Sequence, residues 1–307
     1  MAYSIPERFT LNGFSVSWNT YLSLTDIASI SQIYPKPRKT CRLGHGNDPT
    51  YPTSSHFDVG TFTTIFVASS GRVAMDHQTL IQFPESYPSE PLVSARISFI
   101  DFDVSHNPRV KSLVEAVLPI QAVLNLHSSG GGGRHDAGIS WLLCPPGDTD
   151  FQCDSFTTKG KNVTQSINLD RPYSSPPKVA AFFSALDIEK STHCRVKTYA
   201  STVTKNGLKL HIETWDSTKA LEFGASWVSG PASKSGIAIG AFGEDENLSL
   251  TARLNKTGAV DFKPSFTEPP RIFLALYMLN IDRGGHTCVR ISNSHVMGTQ
   301  MEWRIDT

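Results

Sequence analysis

Several things are scarce in this chain of 307 residues, and each scarcity excludes a class of protein. Cysteine occurs five times, at Cys41, Cys144, Cys153, Cys194 and Cys288, an odd number at irregular spacing. That argues against a disulfide-stapled fold and against a CxxC metal site, and predicts buried thiols. Neither sign of charge prevails: 28 Lys and Arg balance 28 Asp and Glu, and the pI is near 7.1. No basic or acidic face therefore points to nucleic acid or to an anionic membrane. No window approaches the ~20 apolar residues of a membrane-spanning helix. The opening Met1-Ala2-Tyr3-Ser4-Ile5-Pro6 leads into no apolar core of signal-peptide length. These absences predict a soluble chain, cytoplasmic or exported without a signal peptide, with no membrane insertion and no nucleic-acid partner. The sequons at Asn162, Asn247 and Asn255 then read as exposed turn residues. HExxH, paired-carboxylate and nucleophile motifs are missing, as is any Asp/Asn-rich loop of calcium-binding spacing. The expectation is no catalytic residue, no metal and no cofactor.

What the chain does contain is a long-range repeat. Phe83, Tyr87 and Pro91 recur as Leu169, Tyr173 and Pro177, and again as Phe262, Phe266 and Pro270, each with steps of four and four. Ten residues past each proline stands Asp101, Asp187 or Asn280, and an arginine follows 18, 18 and 20 residues past it: Arg109, Arg195 and Arg290. Proline-to-proline periods of 86 and 93 residues predict an array of domain-sized repeats rather than a short-period solenoid. Leu208, Leu210 and Ile212 alternate with Lys209, His211 and Glu213 at the period of a half-buried strand, and no long helical period is present. Denser apolar runs, Val179 to Ile188 and Ile272 to Ile281, read as central strands entered through Pro176-Pro177 and Pro269-Pro270. The fold class predicted is all-β, with three antiparallel six-stranded β-sandwich repeats at residues 57–145, 146–231 and 232–307.

Each repeat is expected to open on a strand, 57–62, 151–156 or 237–242, and the first two close on a Ser-Trp pair, at Trp141 and Trp227. Both tryptophans recur just before a turn and read as core plugs. The third repeat shows no such pair, while Phe14-Ser15-Val16-Ser17-Trp18 does. Residues 1–18 are therefore expected to supply the strand that completes the third repeat, with 19–56 an inserted loop.

The pattern Phe/Leu-x3-Tyr/Phe-x3-Pro, a Leu186-Asp187-Ile188 strand, Arg195-Val196, Asn206-Gly207, Thr214-Trp215-Asp216-Ser217-Thr218-Lys219 and a closing Ser226-Trp227 resembles the H-type lectin domain of snail agglutinins and slime-mould discoidins. The middle repeat matches throughout and the outer two in outline. The resemblance implies a six-stranded sandwich that assembles as a trimer and binds galactose-type sugars, especially N-acetylgalactosamine, between neighbouring protomers. Three repeats on one chain would imitate that trimer, with further oligomerisation left open. By the same resemblance Arg195 and Trp215 fall on the family's sugar-contacting arginine and aromatic residue, and Asp216 on a histidine of a snail agglutinin. Arg, Asp and Trp suit a sugar: planar donors and acceptors for hydroxyls, and a ring for the apolar pyranose face. The alternative for Arg195 is a structural salt bridge to Asp187 or Glu213, with Trp215 packed at a sandwich edge.

At the outer repeats the match departs. In the first, Arg109 remains and His127 takes the aromatic position, followed by the run Gly130 to Gly133, which lacks the Lys-Ser/Thr of a phosphate loop. In the third, Arg290 remains and only Tyr3 could serve as the aromatic. Leu221 stands at the family's closing aromatic, and Asp76, Asp154 and Asp245 are candidates for its acidic ligand. The function expected is a multivalent lectin for glycans ending in galactose or N-acetylgalactosamine, agglutinating or defensive. A non-catalytic scaffold with decayed sugar sites is the alternative. An enzyme built from His127, His135, Asp136, His193, His286 and His295 stands third.

Overall fold

A computed structural model describes residues 57–64, 76–83, 85–102, 107–128, 135–159, 161–234, 236–242, 256–263, 265–282 and 287–306. The chain divides into two units, Met1–Pro52 and Thr53–Thr307, and every described residue belongs to the second. The expected closing strand at 1–18, including Tyr3, and the insertion at 19–56 lie outside the described residues, as does Asp245.

The described residues are all-β, without a helix. Segment 57–145 carries six strands: β1 (Asp58–Thr63), β2 (Asp76–Gln82), β3 (Leu92–Phe102), β4 (Arg109–Leu118), β5 (Gln121–Ser128) and β6 (His135–Cys144). Segment 146–231 carries six more: β7 (Gln152–Thr158), β8 (Val163–Asn168), β9 (Lys178–Ile188), β10 (Cys194–Ser201), β11 (Gly207–Thr214) and β12 (Ala220–Gly230). Segment 232–307 carries β13 (Lys256–Asp261), β14 (Met278–Ile281), β15 (Thr287–Val296) and β16 (Gln300–Asp306). All ladders are antiparallel, in three sheets ordered β1-β6-β3-β15-β16-β13, β2-β5-β4-β9-β12-β7 and β14-β10-β11-β8.

No sheet stays within one segment. The first crosses over where β3 meets β15, the second where β4 meets β9 and the third where β10 meets β14. Each junction thus joins a strand that follows Pro91, Pro177 or Pro270, directly in the first two cases and from Met278 in the third, to a strand that begins near an arginine of a different segment. The layers pack through β5 on β6 and β11 on β12. A large apolar core fills between them, with Ile97, Leu124, Ile139, Phe183, Leu210 and Phe223 buried, and a second, smaller cluster is formed by Ala180, Phe182, Val228 and Ala275. β9, flanked by β4 and β12, is buried almost along its whole length, as a strand covered on both faces must be, whereas β11 buries Leu208, Leu210 and Ile212 and exposes Lys209 between them.

The repeated motif has a plain backbone role. The amides of Phe83 and Tyr87 donate to Ile120 O and Pro119 O, those of Leu169 and Tyr173 to Asn206 O and Lys205 O, and those of Phe262 and Phe266 to Thr299 O and Gly298 O. In all three places the two residues, four apart, tie the incoming chain to the tip of a hairpin, and edge-to-face ring pairs fix Phe83 on Tyr87 and Phe262 on Phe266. The tryptophans read as core plugs are buried, Trp141 and Trp227 alike. Gly60 lies under the Trp141 ring, where an added Cβ would stand 2.5 Å from the nearest ring carbon. Among the described residues Cys144, Cys153, Cys194 and Cys288 form no disulfide; Cys144 is buried, and burial holds its pKa well above the ordinary thiol value.

Two expectations are corrected. Residues 237–242 do not form the third opening strand, and of 272–281 only Met278–Ile281 is in a ladder. Among the described residues nothing pairs with the remaining edge of β14, so the segment before it has backbone partners only where other strands reach it, at Leu276 and Tyr277. Beside it lies an open apolar cleft of about 690 Å³, lined by Ile237, Ile239, Phe242, Ile272, Phe273 and Met301 among others.

Phe183 is fully buried at the middle of β9, and Ile120 is exposed in a hairpin tip. Phe183→Ala is expected to cost about 3–5 kcal/mol in urea unfolding, and Ile120→Ala to stay within about 0.5 kcal/mol.

Candidate functional site

The crossing of β10 with β14 assembles a compact polar cluster. Register places Arg195 opposite Asn280 and Cys194 opposite Ile281, so the two strands end side by side at His193 and Asp282. The hairpin partner β11 ends at Thr214, and Trp215 continues its line by donating its amide to Arg195 O at 3.3 Å. The turn beyond is closed by Thr218, which is buried, donates its amide to Trp215 O at 3.5 Å and accepts the Arg195 amide on Oγ1 at 3.0 Å. Asp216, at the tip, has φ 56, and Asn162, whose Oδ1 accepts the Thr214 amide at 2.8 Å, has φ 51. These are two of the three described non-glycine residues with positive φ, and both lie at this end of β11. Asp and Asn tolerate the left-handed region best among non-glycine residues.

The side chains meet around the Arg195 guanidinium. Nη1 donates to Asp216 Oδ2 and Nη2 donates to Asp282 Oδ1 at 2.6 Å. His193 stands between the same carboxylates, Nδ1 3.0 Å from Asp282 Oδ1 and Nε2 3.9 Å from Asp216 Oδ2. Arg195 Nε is buried without a hydrogen-bond partner among the described residues. The Arg195 side chain is mostly covered, while Asp216 is nearly half exposed and Trp215 half-buried. The result is a row of paired donors and acceptors at the surface, next to the turn that bears Trp215.

A second polar group continues from it along β10 and β11. Lys197 lies 3.4 Å from Glu213, the Tyr199 hydroxyl donates to the Glu213 carboxylate, and the Tyr199 ring stacks on His211 with centroids 4.5 Å apart. That hydroxyl is the main cause, with Lys197 adding to it against a burial effect of opposite sign, of a Glu213 pKa held below the ordinary carboxylate range.

The structure therefore brings Arg195, Trp215 and Asp216 together, and pairs Arg195 with neither Asp187 nor Glu213. Arg109 takes Asp187 instead, Nε to Oδ2 at 2.7 Å, with Lys111 3.1 Å from Glu222 alongside. His127 lies opposite Lys111 in the β4–β5 ladder, not opposite Arg109. By register it corresponds to Glu213, which faces Lys197, rather than to Trp215. Arg290 lies opposite Phe99, its guanidinium 4.4 Å from that ring, and the residue opposite Asp101 is Cys288. Leu221 is exposed, and Asp154 is exposed on β7 with its carboxylate on the Ser155 amide. Two members of the cluster escaped the sequence reading. His193 enters the sequence reading only among the residues of the enzyme alternative, and Asp282 sits two residues past Asn280, on the same face of an extended segment, which is the available signal.

Comparison with known families bears on this region. The family model of the H-type lectin domain matches residues 164–229, which contain Arg195, Trp215 and Asp216. That stretch is similar to a carbohydrate-binding domain. Comparisons with curated proteins and with solved structures give no significant match.

Glu213 contributes stability above the ordinary carboxylate pKa because its folded value is lowered, and that contribution is lost as pH falls through the lowered value. Tyr199→Phe removes the main cause. Its expected outcome is a Glu213 carboxyl titrating nearer its ordinary value in NMR, with less stability lost on acidification; an unchanged titration contradicts the assignment.

Proposed function

We propose that the chain is a non-catalytic, multivalent lectin that recognises terminal galactose or N-acetylgalactosamine, built as a pseudo-trimer of three H-type-lectin-like repeats. The observation that carries the reading is Arg195 clamped by Asp216 and Asp282 beside half-buried Trp215, inside the stretch matched by the H-type lectin family model. A pyranose offers hydroxyls to fixed carboxylates and a guanidinium while its C–H face lies on the indole, a combination suited to a shallow, water-facing site. The pseudo-trimer is supported by the three junctions, β3–β15, β9–β4 and β14–β10, which link the segments in a closed cycle. It is also supported by the threefold recurrence of the hairpin-tip hydrogen bonds. Several weak sites at fixed separations would gain avidity on clustered glycans, which fits agglutination or defence.

One observation favours the scaffold alternative at the outer junctions. Arg109 is largely exposed on Asp187, and Cys288 replaces an arginine opposite Asp101. The Arg195 junction is accordingly expected to be the strongest of the sites.

A glycan array probed with the full chain, with free galactose and N-acetylgalactosamine as competitors, tests the function. Selective, competable binding is expected, weakened at least about tenfold in Trp215→Ala, which corresponds to about 1.4 kcal/mol. Binding unaffected by that substitution sinks the site, and a blank array sinks the lectin reading in favour of a protein-binding scaffold.

A further inference from the structure

We infer that the Arg195 junction selects neutral and amine-bearing saccharides against acidic ones, and that Asp282 together with Asp216 sets this selectivity as residues lining the site. The inference rests on the carbohydrate-binding reading above. It adds a ligand class and a residue, Asp282, from a strand outside the matched stretch.

A surface arginine with a free edge ordinarily attracts sulfate and carboxylate, because its fork of N–H donors fits two oxygens at once. Arg195 offers only what is left of its five donors. Nη1 is held by Asp216, Nη2 by Asp282 at 2.6 Å, and Nε is buried. The second N–H of each Nη remains, and an anion that takes it lies against carboxylates already bound to the same guanidinium, in a setting where most of the arginine is out of water and Coulomb repulsion is poorly screened.

The neighbouring ion pairs do not offset this. Lys197 pairs with Glu213 at 3.4 Å and Lys219 with Glu189 at 3.3 Å, each cancelling. Counting these described pairs with the cluster gives three positive groups, Arg195, Lys197 and Lys219, against four negative ones, Glu189, Glu213, Asp216 and Asp282. The balance is 3 − 4 = −1 with His193 neutral, and zero with His193 protonated. In neither state do these groups carry a positive surplus to draw an acid. A carboxylate has about four acceptor sites. With the Asp216 and Asp282 side chains 46% and 29% exposed, the solvent-facing part of each carboxylate suits hydroxyl or ammonium donors rather than anions.

The Arg109 junction is a built-in contrast. Arg109 with Asp187 and Lys111 with Glu222 balance two against two, so no carboxylate is in excess there. Discrimination against acids is expected of the Arg195 junction alone.

The test titrates the full chain with methyl galactoside, galactosamine and galactose 6-sulfate. Methyl galactoside and galactosamine should bind, and the sulfate about tenfold or more weakly. Raised salt should narrow the gap by screening. Asp282→Asn, which keeps the shape and removes the charge, should bring the sulfate to within about threefold of the neutral sugar. Asp216→Asn is the second variant, since asparagine is as tolerant of the left-handed turn as aspartate, and it should narrow the gap in the same direction. Equal binding of neutral and sulfated sugars by the unaltered chain overturns the inference while leaving the lectin reading intact. A gap untouched by either substitution overturns the role of the aspartates. Failure to bind any of the three sugars overturns the lectin reading and this inference with it.

Discussion

Leu276 holds the molecule together from both sides of its peptide. Its carbonyl accepts the Phe183 amide at 2.8 Å, and its own amide donates to Ile97 O at 2.8 Å. Ile97, Phe183 and Leu276 are each the sixth residue after Pro91, Pro177 and Pro270, and all three are buried. Backbone polar groups at such depth must be paired, and here the partner comes from another segment. The ladders slip by one residue just beyond this point, between Ile97 and Phe99 in β3 and across Ser184 in β9. A bulge at the same place in both strands bends each away from its own sheet toward the next junction. The three segments are therefore interlocked at their centres and cannot unfold as independent beads.

From this interlock the candidate site inherits its composite character. Wherever a strand that follows a proline crosses a strand that begins at an arginine, residues far apart in sequence face each other, and the local charge pattern decides what the arginine does. At the β4–β9 crossing the opposing residue is Asp187 and Arg109 binds it directly. At the β10–β14 crossing the same place is held by neutral Asn280, and Arg195 reaches two residues further along that strand to Asp282 and across its own hairpin to Asp216. With an amide opposite it in place of a carboxylate, Arg195 pairs instead toward the surface turn that bears Trp215.

How much of this was legible in the sequence follows the range of the interactions. The Phe83-Tyr87, Leu169-Tyr173 and Phe262-Phe266 spacings could be read because each serves one hairpin, and a local hydrogen-bond pattern leaves a regular imprint. Strand alternation at Leu208, Leu210 and Ile212 was legible for the same reason. The crossovers between segments were not, since no residue spacing records which edge a strand will pair with. Counting from the prolines also misplaced side chains by two residues. His127 falls opposite Lys111, and Arg290 opposite Phe99, because hairpin and loop lengths differ among the segments while register is set by the ladder. Asp282 was hidden by the same limit, as its partner Arg195 lies 87 residues away.

The three junctions also differ in a way that a symmetric assembly of identical chains would not permit. Substituting one residue in a homotrimer changes every interface at once, so an arginine needed at one is kept at all. When one polypeptide supplies every junction, each position is free to vary alone. Arg109 with Asp187, Arg195 with Asp216 and Asp282, and Cys288 opposite Asp101 are three outcomes of that freedom. The backbone interlock tolerates all of them, because it is made by main-chain atoms at Ile97, Phe183 and Leu276 and by apolar packing, neither of which depends on the charged rim. Structural repetition and chemical divergence are thus separable in this fold: main-chain atoms carry the interlock at the centre, and the charged rim is free to differ at each junction.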